Sequence, residues 1–355
     1  MRIAFDVSPL SHERTGIGNY ILGSLRGVVA RAGDDDEVVP FAPTSHRGTR
    51  VIPAELAGLG VRPRLRFLPK SHYWRTAWSR AGWPPVERFL GPVDVLHYSD
   101  WMYPPQRAGV RSTMIHDLVP VRFPEWVTPR TRRMHARKYR DAASCDTVFV
   151  NSEFTGRDVV ELLGVDAARV HVAPPGVGPE FVADGDGADL GGEYVLTVAT
   201  LEPRKNLGVL VEAHRSLGGR LSLAVVGGAG WGEQPELAAP GIVQLGRVSD
   251  EELARLYRGA AVVAYPSRFE GFGIPIVEAM ACGAAVVASS HPSMDEAAGD
   301  VALRADPDTP REWVERLREA ASRRAALGAR GVEHAARFTW DAVGETMLAA
   351  WRAAR

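Results

Sequence analysis

The 355-residue sequence predicts an α/β protein built as two parallel-sheet domains, on three observations. Short apolar runs alternate with amphipathic helical stretches, the pattern of parallel strands joined by crossing helices. The alternation halts at Pro174-Pro175-Gly176-Val177-Gly178-Pro179 and restarts at Tyr194. The length exceeds one ordinary doubly wound unit and suits two, each with a sizeable core.

Composition narrows the class. Hydrophobic residues make up 45% and charged residues 24%, ordinary for a globular chain. A net charge of −1 argues against bulk nucleic-acid binding, yet charge is unevenly spread: residues 60–140 carry 16 Lys or Arg against 5 Asp or Glu. That excess reads either as a basic face or as a surface for an anionic acceptor or anionic lipid. Cys145 and Cys282 match no ligand or redox spacing, which points to structural roles in a reducing compartment. No apolar run approaches the roughly 20 residues that span a bilayer. Met1 leads directly into a strand and not a signal sequence, so a cytoplasmic protein is expected.

Ile3 to Val7 reads as a buried parallel strand, followed by a loop, Arg14 to Tyr20, and a helix to about Ala30. Gly16 and Gly18 in that loop suit either a phosphate-approaching turn or a plain tight turn. Further strands are expected at Val38–Phe41, Leu65–Leu68, Val93–Tyr98, Thr113–Leu118 and Val148–Asn151, with helices at Pro129–Ala142 and Glu153–Leu163. Ligands of such sheets bind beyond the carboxyl ends of the strands. The polar residues there are Asp100 with Trp101, His116 with Asp117, and Asn151. His116 closes an apolar strand and reads either as a backbone-bonded histidine or as a site residue; His97, inside its strand, reads as packing. Between Arg62 and Trp83, bases interleave with aromatics, Trp74 among them. Such a segment suits a membrane interface or a loop closing over an acceptor. The bases of Pro129–Ala142 surround their helix, so most are expected in solvent.

The residues 183–192 are rich in Gly and Asp and read as an exposed connection. Asp34-Asp35-Asp36 and Asp184-Gly185-Asp186 follow no buried strand, and no metal site is expected at either. Strands then follow at Tyr194–Ala199, Leu221–Val226, Ile242–Leu245, Ala261–Tyr265 and Ala285–Ala288. Helices are expected from about Asn206, at Asp250–Arg258 behind a Ser249 or Asp250 cap, at Pro310–Ala325 and at Trp340–Ala354.

Two loops in this half carry chemistry. Thr200-Leu201-Glu202-Pro203-Arg204-Lys205-Asn206 sets two adjacent cations at a strand's carboxyl end, placed for a diphosphate. Glu270-Gly271-Phe272-Gly273-Ile274 opens a helix that carries Glu278, eight residues on from Glu270. A helix N-terminus favours an anion, whereas carboxylates accept hydrogen bonds from hydroxyls. Together these features suggest a ligand that is part phosphate and part sugar.

With those residues in view, the chain resembles the retaining GT-B glycosyltransferases of family 4, nearly end to end. Glu270 and Glu278 fit the family's Glu-x7-Glu signature with its intervening Gly-Phe-Gly. The resemblance implies that Glu270 contacts the donor sugar and Glu278 the ribose, and that the amides of Gly271, Phe272, Gly273 and Ile274 approach the sugar and diphosphate. Lys205 fits the diphosphate-binding lysine, Gly16 and Gly18 the loop near the donor phosphates, Val248 in Gly246-Arg247-Val248 the nucleobase contact, and His116 the active-site histidine. Gly228, in the glycine run after a strand, is placed on the donor side. Many members carry arginine where this chain has Thr200; Arg204 then supplies the charge. Asp100, Trp101, Trp74 and Asn151 are the acceptor-side candidates.

The fold so implied is GT-B: two Rossmann-like domains facing a central cleft. Residues 1–180 form the acceptor domain, 181–193 a linker and 194–339 the donor domain, with helix 340–355 crossing back to the first. The implied activity is retaining transfer of a hexose or deoxyhexose from a nucleoside-diphosphate sugar, GDP- or dTDP-linked, to a glycan, lipid-linked or small-molecule acceptor. No cofactor or metal is expected, nor any nucleic-acid partner, and contact with an anionic inner membrane face is allowed. A nucleotide-sugar epimerase of the same architecture, or a binding protein without turnover, is the alternative.

Overall fold

The computed structural model describes residues 1–12, 15–99, 101–218, 221–228, 230 and 235–355. The chain divides into two compact units, Met1–Gly176 with Thr339–Arg355, and Val177–Phe338. Each contains one sheet, and every strand pair in both is parallel.

The first sheet comprises β1 (Arg2–Asp6), β2 (Glu37–Thr44), β3 (Arg64–Phe67), β4 (Val95–Tyr98), β5 (Val110–Ile115), β6 (Thr147–Val150) and β7 (Val170–Val172), in the order β3-β2-β1-β4-β5-β6-β7. The second comprises β8 (Tyr194–Val198), β9 (Ser222–Val226), β10 (Ile242–Gly246), β11 (Val262–Tyr265), β12 (Val286–Ser289) and β13 (Leu303–Ala305), ordered β10-β9-β8-β11-β12-β13. Apolar clusters cover both faces of each sheet. Double coverage is why the central strands are nearly continuous apolar runs. Strand order reverses once in each sheet, between β1 and β4 and between β8 and β11, and ligands of such sheets bind beside that reversal.

Several expectations shift. The strand expected at Thr113–Leu118 is Val110–Ile115, so His116 lies in the loop just beyond it. Gly16 and Gly18 lie in the first turn of the helix Gly16–Arg31, not in a loop before it. The basic aromatic segment is largely a helix, Ser71–Ala81. The stretch 181–193, read as a linker, lies inside the second unit, where the Ala188 N–H donates to the Arg255 carbonyl.

The helix Trp340–Ala354 packs on Gly16–Arg31 through glycine on both sides. A Cβ on Gly27 would stand 1.9 Å from the Trp340 carbonyl oxygen, and one on Gly344 would stand 2.2 Å from the Gly27 carbonyl. Trp351 is fully buried and its Nε1 donates to Ser112 Oγ at 2.8 Å, which also meets His97 Nδ1 at 2.9 Å. His97 is thus a packing residue, ringed by Phe5, Phe149 and Trp351. Asp36 is committed to the N-terminal ammonium and Arg352. Among the described residues, no helix is long and apolar enough to cross a membrane.

Candidate functional site

Each sheet's reversal point carries a cluster of polar side chains. In the second unit the loops after β8 and β11 are strapped together. The Arg268 N–H donates to the Arg204 carbonyl at 2.9 Å. Asn206, in the left-handed region at φ 54°, donates from Nδ2 to the carbonyls of Pro266 at 3.2 Å and Pro307 at 2.6 Å. Asparagine tolerates that conformation better than most residues. Gly227 brings the β9 loop against them: at φ +147°, a Cβ there would stand 1.9 Å from the Ala199 carbonyl oxygen.

This scaffold sets two cations, Arg204 and Lys205, against two carboxylates, Glu202 and Glu270. Glu270 is buried, and its Oε2 accepts from Arg204 Nη1 at 2.6 Å while its Oε1 accepts from Lys205 Nζ at 2.7 Å. Arg204 also donates to the Phe269 carbonyl at 2.8 Å and to Glu202 Oε1 at 2.7 Å, and Lys205 to the Tyr265 hydroxyl at 3.1 Å. Burial pushes Glu270 up, but the Arg204 and Lys205 charges outweigh it and hold the carboxyl at about 2. Burial also lowers the Lys205 ammonium, against the pull of Glu270. Both cations thus converge on Glu270 at a strand's carboxyl end, and Arg204 is held by Glu202 as well.

Gly273, at φ +104°, turns the chain into the helix Ile274–Ala281. Glu278 on that helix stays apart from the charge cluster. It is buried and accepts from the Tyr257 hydroxyl at 3.4 Å. Burial, with the Asp250 charge adding, raises its carboxyl to about 8, so it is neutral over much of the physiological range. The Phe272 side chain packs into the core against Phe338, leaving only its backbone for a ligand. Gly228 accepts the Leu201 N–H at 3.2 Å, Thr200 is exposed, and Val248 packs half-buried against the core.

In the first unit, Asp6 ties the loops after β1 and β4 together: Oδ1 accepts the Ser8 N–H at 2.9 Å and Oδ2 the Ser99 N–H at 3.3 Å. Above them opens a pocket of about 500 Å³, whose lining includes Gly18, Trp101, His116, Arg130, His135 and Lys138. His116 Nε2 is shielded from solvent and has no hydrogen-bond partner among the described residues. Burial, then the Lys138 charge, lowers His116 to about 3, so the imidazole is neutral. Asn151 Nδ2 donates to the His116 carbonyl at 3.1 Å, so it holds the loop and does not line the pocket. Trp101 Nε1 donates to His135 Nε2 at 3.2 Å. Trp74 is 51% exposed and lines a different hollow, and Asp100 lies outside the described residues.

Sequence reasoning missed Glu202, Tyr257 and Tyr265, which orient the charges of the second unit. It also missed Lys138, a buried base on a helix expected to keep most of its bases in solvent. The spacing 130, 134, 135, 138 marks one helical face and was the available signal.

Residues 15–181 match the family model described as Glycosyltransferase Family 4, and residues 192–323 the model described as Glycosyl transferases group 1. The chain is 28% identical to O-antigen chain mannosyltransferase B of Escherichia coli, over 96% of this chain and 97% of that protein. It is 31% identical to a D-inositol 3-phosphate glycosyltransferase of Kineococcus radiotolerans, over 81% of this chain and 71% of that one. Its fold matches that of sucrose-phosphate synthase from Thermosynechococcus elongatus at a TM-score of 0.74 and 17% identity, covering 99% of this chain and 98% of the other. With two parallel α/β units, a matched family model over most of each, and relatives alike across nearly its whole length, this chain belongs to the group 1, family 4 glycosyltransferases of GT-B fold.

Proposed function

We propose that the protein transfers a hexose or deoxyhexose from a nucleoside-diphosphate sugar to an acceptor hydroxyl, with retention of anomeric configuration and without a metal. The observation that carries this reading is the Arg204–Glu270–Lys205 cluster at the reversal point of the second sheet. A diphosphate arriving there takes over the cations, and the released Glu270 carboxylate accepts hydroxyls of the donor sugar. Glu278 accepts those of the ribose, and the backbone of Gly271 to Ile274 and of Gly228 lies along the donor. Val248 meets the base.

Chemistry then rests with the leaving group. As the bond from the anomeric carbon to the phosphate oxygen breaks, Arg204 and Lys205 stabilise the growing negative charge. The acceptor hydroxyl attacks from the same face and its proton passes to the departing phosphate oxygen. Neutral His116 contacts the donor sugar, and Glu270 orients the sugar without becoming a nucleophile. Two cationic side chains supply the charge that a metal would otherwise bring. Gly16 and Gly18, in the first turn of a helix, offer N–H groups to the donor phosphates.

One relative is named a mannosyltransferase. That name supports a GDP- over a dTDP-sugar as donor and a glycan or lipid-linked acceptor. The D-inositol 3-phosphate relative supports a small phosphorylated acceptor instead. The buried, unpaired thiols of Cys145 and Cys282 suit a reducing compartment, so we place the reaction in the cytoplasm. The test is a screen of nucleoside-diphosphate sugars against glycan, lipid-linked and phosphorylated acceptors, with product configuration read by NMR. Turnover that persists in a chelator and retains configuration is expected. Conversion of the sugar without acceptor would instead identify an epimerase, and inversion would contradict the mechanism.

A further inference from the structure

The helix Ser71–Ala81 contributes to two of the hollows on the first unit. Ser71, His72 and Arg75 line the pocket that holds His116. Trp74, Ala77, Trp78 and Ala81 line a second groove, of about 870 Å³. The two sets follow helical spacing on adjoining faces, so one helix serves both hollows. Both hollows reach its N-terminal end, where Leu68 lines the groove and Ser71 the pocket, and farther along Trp74 and Arg75, consecutive in sequence, line one each.

The groove is large for a small-molecule site and mostly apolar, with Leu65, Val86 and Leu90 among its walls. Aromatic rings are left in water along it: Phe67 is 57% exposed, Trp74 51%, Trp83 66% and Phe89 44%. A contiguous exposed apolar patch on a globular unit marks a binding surface more often than chance. Its rim is cationic. Arg64 and Arg66 line it and Arg62 and Lys70 flank them in sequence; all four are exposed and have no carboxylate partner among the described residues. Glu87, the nearby acid, is turned to the Arg107 and Ala108 N–H groups. An apolar trough under a row of unpaired cations complements an amphiphile: a hydrocarbon chain ending in an anion.

We propose that this groove holds the hydrocarbon chain of the acceptor, whose phosphate lies at the Arg64, Arg66 and Lys70 rim and whose hydroxyl-bearing head enters the His116 pocket past the N-terminal end of Ser71–Ala81. This assignment of a single-chain anionic lipid as acceptor class rests on the glycosyltransferase reading above.

The probe is dodecyl phosphate below its micelle concentration, with octyl phosphate and inorganic phosphate for comparison, followed by calorimetry and tryptophan fluorescence. One molecule binds per chain, and affinity rises about threefold to fourfold per methylene from octyl to dodecyl. Ala77→Trp fills the groove and weakens dodecyl phosphate at least tenfold. Trp74→Ala, at an exposed position that folding tolerates, weakens it several-fold and decides the matter if Ala77→Trp does not fold. Affinity independent of chain length, wild-type affinity in Trp74→Ala, or binding only to phosphatidylglycerol vesicles and never to the monomer would overturn the groove; the last result would mark a peripheral membrane surface. Nucleoside-diphosphate binding on the same preparations stays at wild-type strength in both variants. Its absence from the wild type would sink the donor reading and leave the groove standing.

Discussion

Glu270 and Glu278 carry the same functional group and end in opposite protonation states because their neighbours differ. Glu270 has two cations within hydrogen-bond reach; Glu278 has a tyrosine hydroxyl, burial and a nearby aspartate. The folded-state value of Glu278, about 8, lies above the ordinary carboxyl value of 4.5. Between those two values the folded chain keeps a proton that the unfolded chain has lost, so stability falls as pH rises through that window. Glu278→Gln removes the change. Its melting temperature is expected to match wild type at pH 5 and exceed it at pH 8, and a constant difference would contradict the assignment. Glu270 has the reverse sign: its folded value of about 2 gives stability that is lost as pH falls from 4.5 towards 2. His116 is neutral well above its value of about 3, so kcat/KM should show no limb near pH 6.5 from this residue.

At the scale of elements, legibility followed burial. The strands Arg2–Asp6 and Val262–Tyr265 and the helices Glu153–Leu163 and Ile274–Ala281 stood out because apolar periodicity there answers to a two-sided core. Ser249 caps its helix as its position implied, accepting the Glu252 N–H at 3.2 Å. Val170–Val172 and Leu303–Ala305 are edge strands of three residues, too short for a pattern to show. The helix Ser71–Ala81 was hidden because two of its faces line hollows and only Arg75 is buried. The ion-pair cluster was half legible: Arg204, Lys205 and Glu270 could each be named, but their contact arises from tertiary strapping by Asn206 and Arg268. Packing of Gly16–Arg31 on Trp340–Ala354 depends on bare backbone. Gly27→Ala is expected to cost about 2–3 kcal/mol by forcing the helices apart, measurable by urea unfolding; a loss below about 0.5 kcal/mol would contradict the contact.

At the scale of the whole molecule, the first unit is discontinuous in sequence. Residues 339–355 bring Met347, Leu348 and Trp351 into its core, all at or below 1% exposure. A chain ending at Phe338 should therefore lose the first unit's cooperative melting while the second, Val177–Phe338, keeps its own transition; an unchanged first transition would contradict the division. Charge is divided as well: the excess of bases in residues 60–140 falls in the first unit, where the groove and the His116 pocket lie. The diphosphate reading belongs to the second unit and stands on two side chains. Calorimetry of nucleoside-diphosphate binding to wild type and Lys205→Ala tests it most directly. The loss of one charge-assisted contact to phosphate should weaken binding roughly 10- to 100-fold, with turnover falling too. Equal affinity in the two proteins would contradict a site built on Arg204, Lys205 and Glu270.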